Sequence, residues 1–398
     1  MQKILGGVTA AKGFKAGGLN CGIKKSGKPD LALICSEVPA VATGVFTTNK
    51  VKAAPVLLSQ KHLTQEKAQV ILINSGNANA CTGKEGLNHA KKEAQAVAKL
   101  FKITPEEVLL ASTGVIGIPL PVNLILKSLP VLVEELSKTG GHQAAKAIMT
   151  TDTFPKEYAI IQEINGQEIR IGGMCKGSGM IQPNMATMLG IITTDASIER
   201  TILQKSLQQI VKQTFNRITV DGDTSTNDTV FLLANGAAGG PKIKTGPELE
   251  AFMEGLYEVA SHLAQMIVKD GEGATKFLTI QVKGARSEEE AEMAARTVAN
   301  SSLVKTAFFG EDANWGRIIA AVGYSGIDFS PEQTEIFLGN LLVYSGTGLV
   351  FDEAKAKNIL QANEIDIIID LKQGEQDVTV WTCDLSYDYV KINGSYRS

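Results

Sequence analysis

Lys176-Gly-Ser-Gly-Met-Ile-Gln-Pro-Asn-Met-Ala-Thr-Met-Leu-Gly190 is the stretch on which the reading of this chain turns. Two glycines and a proline lead to the small-residue pair Ala186-Thr187, which enters the apolar run 187–193, a strand by its content. A hydroxyl residue after a small residue, on a tight approach to a strand, can attack the preceding carbonyl. That N→O acyl shift, completed by hydrolysis of the resulting ester, would cut the chain and leave Thr187 with a free α-amine. A threonine hydroxyl is a weak nucleophile, but its own amine, titrating near ~7.7–8.0, can act as general base. The same pattern fits a buried threonine filling a strand end, so the local sequence leaves both readings open.

Outward from this stretch the chain reads as mixed α/β. The runs 31–37, 40–48 and 69–74 are short, apolar and β-branched, hence strands, and the last opens into the Gly/Asn-rich loop SGNANACTG. Helical spacing covers 88–102, 122–137 and 143–149. Thr104, Pro105 and Glu106-Glu107 mark another helix start. Asn165-Gly166 centres a hairpin over 158–172. A helix is expected at 198–214 with Ser197 as N-cap, then strands at 217–220 and 229–234 around the polar loop DGDTSTND. Helices at 248–268, 287–300, 315–322 and 352–361 alternate with strands at 276–283, 334–344, 364–370 and 377–383.

With 398 residues the length suggests two or three domains. A hydrophobic share of 44%, a charged share of 20% and a net charge of −3 describe an ordinary globular protein with no pull toward nucleic acid or anionic membrane. The five cysteines and four histidines are isolated, which supports neither a zinc site nor a disulfide framework. No apolar run approaches the ~20 residues of a membrane span, and the amino terminus lacks the features of a secretory signal. A cytoplasmic location is expected. The acidic loop 221–228 fails the EF-hand template, because Thr226 stands where Gly is required and Leu232 where Glu is; a hydrogen-bonded turn near the active site is the better reading. Gly177-Ser-Gly179 does not extend to a dinucleotide fingerprint, since Gln182 holds the third place.

The segment KGSGMIQPNMATML resembles the signature of the ornithine acetyltransferase (glutamate N-acetyltransferase) family, whose precursors self-cleave at an Ala–Thr bond. Further blocks matching that family run in order along nearly the whole chain. They are Gly44-Val-Phe-Thr-Thr-Asn49, Asn74-Ser-Gly-Asn-Ala-Asn-Ala80, Ser112-Thr-Gly-Val-Ile-Gly117, Thr150-Thr-Asp-Thr153, Thr219-Val-Asp-Gly-Asp-Thr-Ser-Thr-Asn-Asp228, Asp270-Gly-Glu-Gly-Ala-Thr-Lys276 and Asp312-Ala-Asn-Trp-Gly-Arg317.

The resemblance implies a mixed α/β sandwich fold with a self-released threonine nucleophile. It implies pieces 1–186 and 187–398 that stay associated, two copies of each. Thr187 is then the nucleophile, and Thr113 and Gly114 in the STGVIG turn are the oxyanion hole. Lys176 would contact substrate, its ammonium suited to an α-carboxylate. One of Thr150 and Thr151 would also do so, Thr151 being favoured. Glu272 could recognise the side-chain ammonium of ornithine, and Asn393 and Ser398 of the tail would line the site, with Ser398 where the family often has Thr. Local capping for the threonines, a solvated loop for Lys176 and an exposed turn for Glu272 are the plain structural alternatives. The implied activity is transfer of an acetyl group from N-acetylornithine to glutamate through an acetyl-threonine, without metal, nucleotide or prosthetic group. Some family members also take acetyl-coenzyme A. A self-cleaving aminopeptidase or amidase would instead pass the acyl group to water, and a non-enzymatic binding protein would remain one uncut chain.

Overall fold

The computed structural model describes residues 1–182 and 188–395. These form two compact units, one of residues 1–216 and 223–267, the other of 217–222 and the residues from Val268 onward.

In chain order the first unit contains β1 (Gln2–Ile4), β2 (Phe14–Leu19), β3 (Leu31–Phe46), α1 (Ala54–His62), β4 (Lys67–Asn77), α2 (Gly83–Phe101), β5 (Val108–Val115), α3 (Val122–Glu134) and α4 (Gly141–Ala147). It continues with β6 (Lys156–Ile164), β7 (Gln167–Lys176), β8 (Leu189–Thr194), α5 (Arg200–Gln213), β9 (Thr229–Ala234) and α6 (Pro247–Lys269), whose last two residues belong to the second unit. Its sheet runs β1-β6-β7-β8-β9-β3-β4-β5, with β2 added on β3. Both faces of the central strands are buried, which is why they read as continuous apolar runs. Leu31, Leu33, Val70 and Leu72 pack on one face with residues of α2 and α3. Ala32, Ile34, Ile71 and Ile73 pack on the other with residues of α4. Mixed α/β architecture is what the sequence pattern requires, and it is what forms.

The hairpin between β6 and β7 turns at Asn165 (φ 50°) and Gly166 (φ 73°), both left-handed as a type I′ turn demands. The two strands expected at 31–37 and 40–48 are one, with a shift in pairing between Cys35 and Ala40. Three expectations are corrected. Thr104 does form a capping box with Glu107, but only one 3₁₀ turn follows before β5; the buried Val108-Leu-Leu run pairs in parallel with β4 from Val70 onward, and that ladder ends the helix. Helix α5 starts at Arg200 with Glu199 as N-cap, because the Ser197 carbonyl accepts from Ile243 N (2.8 Å) and Ile198 bridges Ile243, holding the chain extended. The strand expected at 217–220 is a 3₁₀ turn, Phe215–Arg217, followed by a single bridge from Ile218 to Trp381.

The second unit continues with β10 (Phe277–Ala285), α7 (Glu288–Asn300), α8 (Ser302–Phe309), α9 (Trp315–Gly323), β11 (Glu335–Leu338), β12 (Leu341–Ser345), α10 (Glu353–Leu360), β13 (Glu364–Asp370), β14 (Gln376–Cys383) and α11 (Tyr387–Ser395). Its sheet order is β12-β11-β13-β10-β14. Alternate residues of β10 and β13 (Leu278, Ile280, Val282; Ile365, Ile367, Ile369) share a core with Ala291, Ala294, Ala295 and Val298 of α7. Among the described residues no helix is long and apolar enough to cross a membrane.

Candidate active site

In the first unit the chain ends of several strands carry the polar residues. Strand β7 terminates at Lys176, which pairs with Leu189 at the start of β8, and Leu189 pairs in turn with Thr229 at the start of β9. The register therefore sets Lys176 in one row with the residues that follow the expected cut. Lys176 is buried, and its Nζ lies 3.9 Å from Asp152 Oδ2. Asp152 is the organising group. Its Oδ1 accepts from Lys156 Nζ (2.7 Å) and Gly177 N (2.7 Å), and its Oδ2 accepts from Thr150 N (2.8 Å). Burial pushes the Asp152 carboxyl up, but Lys176, Lys156 and the hydrogen bonds from Lys156 and Thr150 outweigh it and hold the group well below the usual carboxylate range. One buried carboxylate thus joins the Thr150-Thr151 loop to the Lys176-Gly177 turn.

A second polar network supports Thr113 and Gly114. Gly114 has φ +131°, and a Cβ on it would stand 2.3 Å from the Gly76 carbonyl carbon. Only glycine allows β4 and β5 to come this close. Here the ladder is irregular, with Asn77 pairing with both Thr113 and Val115. Asn227 fastens the place from the side: its Nδ2 donates to Ser112 O (2.8 Å) and Ala78 O (2.6 Å), and its Oδ1 accepts from Thr226 Oγ1 (2.6 Å). Ser112 Oγ donates to Asn74 Oδ1 (2.5 Å). The neighbouring Asp228 is buried, and its Oδ2 has no hydrogen-bond partner among the described residues. Burial pushes its carboxyl well above the ordinary range, against the opposing pull of Ser225 and Lys176. The chain beside it is fixed by Thr229 N donating to Met188 O (2.9 Å).

In the second unit Glu272 is buried in its turn, and Asn393 Nδ2 donates to its Oε2 (2.7 Å). Gly273, with φ +72°, lets helix α11 approach, since a Cβ there would meet Tyr389 N at 2.6 Å.

A profile described as the ArgJ family matches residues 15–398. The chain belongs to the ArgJ family. The "Arginine biosynthesis bifunctional protein ArgJ" of Caldanaerobacter subterraneus subsp. tengcongensis is 52% identical over 404 aligned residues, covering 100% of both chains. The "Glutamate N-acetyltransferase" of Methanocaldococcus jannaschii is also 52% identical, over 413 aligned residues and 100% of both chains. Among solved structures, the arginine biosynthesis bifunctional protein argJ of Bacillus halodurans is 44% identical with a TM-score of 0.52, covering 53% of this chain and 100% of that one.

Within this family member the first unit brings Thr150, Thr151 and Lys176 together around Asp152, and it also holds Thr113 and Gly114. These two sit at the end of strand β5 and not in a turn, because β5 stays paired with β4 as far as Val115. Glu272 and Asn393 meet in the second unit. Ala186, Thr187 and Ser398 lie outside the described residues. The expected pieces 1–186 and 187–398 are lengths of chain, and the first compact unit includes parts of both. Sequence reasoning passed over Asp152, Asn227 and Asp228 as individual residues. For Asp152 a signal existed in Thr150-Thr151-Asp152-Thr153, where an acid amid hydroxyls suits a loop that folds onto its own backbone.

Proposed function

We propose that this chain is an acyltransferase of arginine biosynthesis that moves the acetyl group of N-acetylornithine to glutamate through an acetylated Thr187. The observation that carries the reading is full-length similarity, over 100% of both chains, to relatives named for this chemistry. The geometry of the first unit supports it, since a buried ammonium, Lys176, is held beside the Thr150-Thr151 loop where an α-carboxylate could be bound.

In this reading the bond between Ala186 and Thr187 is cut first, by attack of Thr187 Oγ on the Ala186 carbonyl and hydrolysis of the resulting ester. The freed α-amine then takes the Oγ proton as the hydroxyl attacks the acetyl carbonyl of N-acetylornithine. Thr113 and Gly114 hold the oxyanion; a single such donor is typically worth ~10²–10³ in rate. The proton passes to the leaving amine, and ornithine departs with Glu272 and Asn393 recognising its side-chain ammonium. Glutamate's amine attacks the ester, its proton returns through the Thr187 amine to Oγ, and N-acetylglutamate leaves. Thr151 and Ser398 are assigned to the substrate, Thr150 to the loop that carries Thr151.

The Bacillus halodurans chain lends support to a cut precursor: all of it is matched by 53% of this chain, the share that residues 187–398 represent. Two copies of each piece form the proposed assembly, and the cytoplasm, with its amino-acid pools, is the proposed location. Thr187→Ala should abolish both cleavage and transfer. Intact-mass measurement of the wild type should give two fragments, the second beginning Thr-Met-Leu-Gly; one unbroken and fully active polypeptide would refute the assignment. Glutamate acetylation from acetyl-coenzyme A alone decides whether this donor is used as well.

A further inference from the structure

Lys24 is a half-buried lysine for which no role has been assigned so far. Its Nζ donates to Pro29 O (2.8 Å) and to Met149 O (2.6 Å), the carbonyl immediately before Thr150. Its stem packs against the end of β4, whose ladder partner β5 carries the proposed oxyanion-hole residues. A Cβ built on Gly76 would stand 3.1 Å from Lys24 Cγ, and Gly76 is paired with Gly114. The ammonium also feels the charges of Asp152 and Lys176. Two hydrogen bonds and the close approach to Gly76 therefore place one cation beside the Thr150 loop and the ladder that holds Gly114.

An ammonium has three donors and a full charge. Two donors are used on carbonyls, and among the described residues no carboxylate lies within ion-pair distance of Nζ. The nearest acid in sequence, Asp30, spends its oxygens on backbone N–H groups of Cys21 (2.6 Å) and Lys24 (2.8 Å). Asp152, by contrast, is already engaged with Lys156, Gly177 and Thr150. Burial lowers the Lys24 pKa to about 8, with Asp30 and Asp152 opposing the fall. Stapling two carbonyls needs donors and no charge. A buried charge is costly unless a counter-charge meets it, and the groups around this ammonium, Met149 before Thr150 and Gly76 opposite Gly114, border the site proposed to take the substrate's carboxylate.

We propose that Lys24 is a second carboxylate-binding residue of the amino-acid site, its remaining N–H taking an oxygen of the substrate's α-carboxylate beside Lys176. The inference rests on the acetyl-transfer reading and adds to it the residue that shares the carboxylate. It explains why the loop before Thr150 is tied to a lysine: substrate binding and loop position are then read by the same ammonium.

The test compares wild type, Lys24→Gln and Lys24→Arg, using N-acetylornithine and its α-carboxamide as donors and glutamate as acceptor. Glutamine keeps donors for the carbonyls and loses the charge; arginine keeps the charge. Lys24→Gln should raise KM for N-acetylornithine roughly 10- to 100-fold, the usual scale of a charge-assisted hydrogen bond, with kcat little changed. Lys24→Arg should recover most of the loss. The disadvantage of the carboxamide relative to the acid should shrink in Lys24→Gln by about the factor that its KM rises. An undiminished disadvantage, or equal behaviour of the two variants, overturns the inference and leaves a structural staple. Thermal melting of both variants identifies any loss that comes from unfolding, and Lys24→Arg then carries the test alone through its own carboxamide comparison. A wild type that transfers nothing from N-acetylornithine would remove the acetyl-transfer reading itself, and this inference with it.

Discussion

Replacing Asp152 by Asn should destabilise the first unit and weaken substrate binding together. Both members of the Asp152–Lys156 pair have side chains 0% exposed, at 2.7 Å. Removing one partner from a buried ion pair typically costs about 3–5 kcal/mol, far more than a surface pair is worth. At roughly 2–3 °C per kcal/mol for a unit of this size, melting should fall by about 6–15 °C. The pH dependence has a defined sign. The folded Asp152 carboxyl titrates below its unfolded value near ~3.9, so its contribution is fully present above that pH and is lost as the pH falls toward the folded value. Wild type and variant should therefore differ most at pH 5–7 and converge below pH ~4, as followed by denaturant unfolding across that range. KM for N-acetylornithine should rise with smaller change in kcat, since Thr150 N and Gly177 N lose a charged acceptor. A variant that melts with wild type at neutral pH, or whose deficit is the same at pH 3 and pH 7, would show that this carboxylate is not the organising charge.

Asn227→Ala strips the amide that holds Ser112 O and Ala78 O. Two buried carbonyls without donors should cost about 2–6 kcal/mol in all, and steady-state kinetics should show kcat falling more than KM rises, because the strand end that carries Gly114 loses its clamp. A loss confined to KM would contradict the clamp. Glu272→Gln should raise KM for N-acetylornithine by roughly 10- to 100-fold and leave KM for glutamate nearly unchanged, since only the donor carries a side-chain ammonium. Equal effects on the two substrates would remove Glu272 from that role.

Much of the fold was legible because burial sorts residues by period. The runs around Leu31–Ile34 and Val70–Ile73 alternate between two cores, and Asn165-Gly166 has few conformations open to it other than a hairpin turn. Start signals were less informative than they look. Thr104 and Glu107 cap a helix as their chemistry suggests (Thr104 N to Glu107 Oε2, 2.9 Å), yet capping says how an element begins and nothing about its length. Helix α1 escaped detection because it shows almost no segregation of apolar from polar faces, being buried at Ala54, Pro55, Val56, Leu58, Ser59 and His62. Of the candidate site, the residues proposed for it each stand in a family motif of the sequence. The groups that position them were not legible as such: Asn227 reaches Ser112 across 115 residues of chain, and Lys24 reaches Met149 across 125. Hydrogen bonds of that span follow from tertiary packing, and no local pattern announces them.

The order of strands bears on how a cut chain could stay whole. Strands β8 and β9 come after the proposed scission, while β7 and β3, their outer neighbours in the sheet, come before it. The carboxy-terminal piece therefore contributes two adjacent strands to the middle of a sheet otherwise made by the amino-terminal piece. Each of the two borders is a full ladder: β7 with β8 over six residue pairs from Lys176–Leu189 to Ile171–Thr194, and β3 with β9 over six from Phe46–Thr229 to Val41–Ala234. Releasing either piece would expose both ladders and split the core in which Met174 lies with Leu189, Ile191, Phe231 and Leu233. Buried backbone groups left without partners are costly, so hydrolysis of one peptide bond beside Met188 changes the covalent chain without offering the pieces a route apart. The proposed cut between Ala186 and Thr187 is thus compatible with a permanent fold, because the sheet spans that bond with strands from both sides of it.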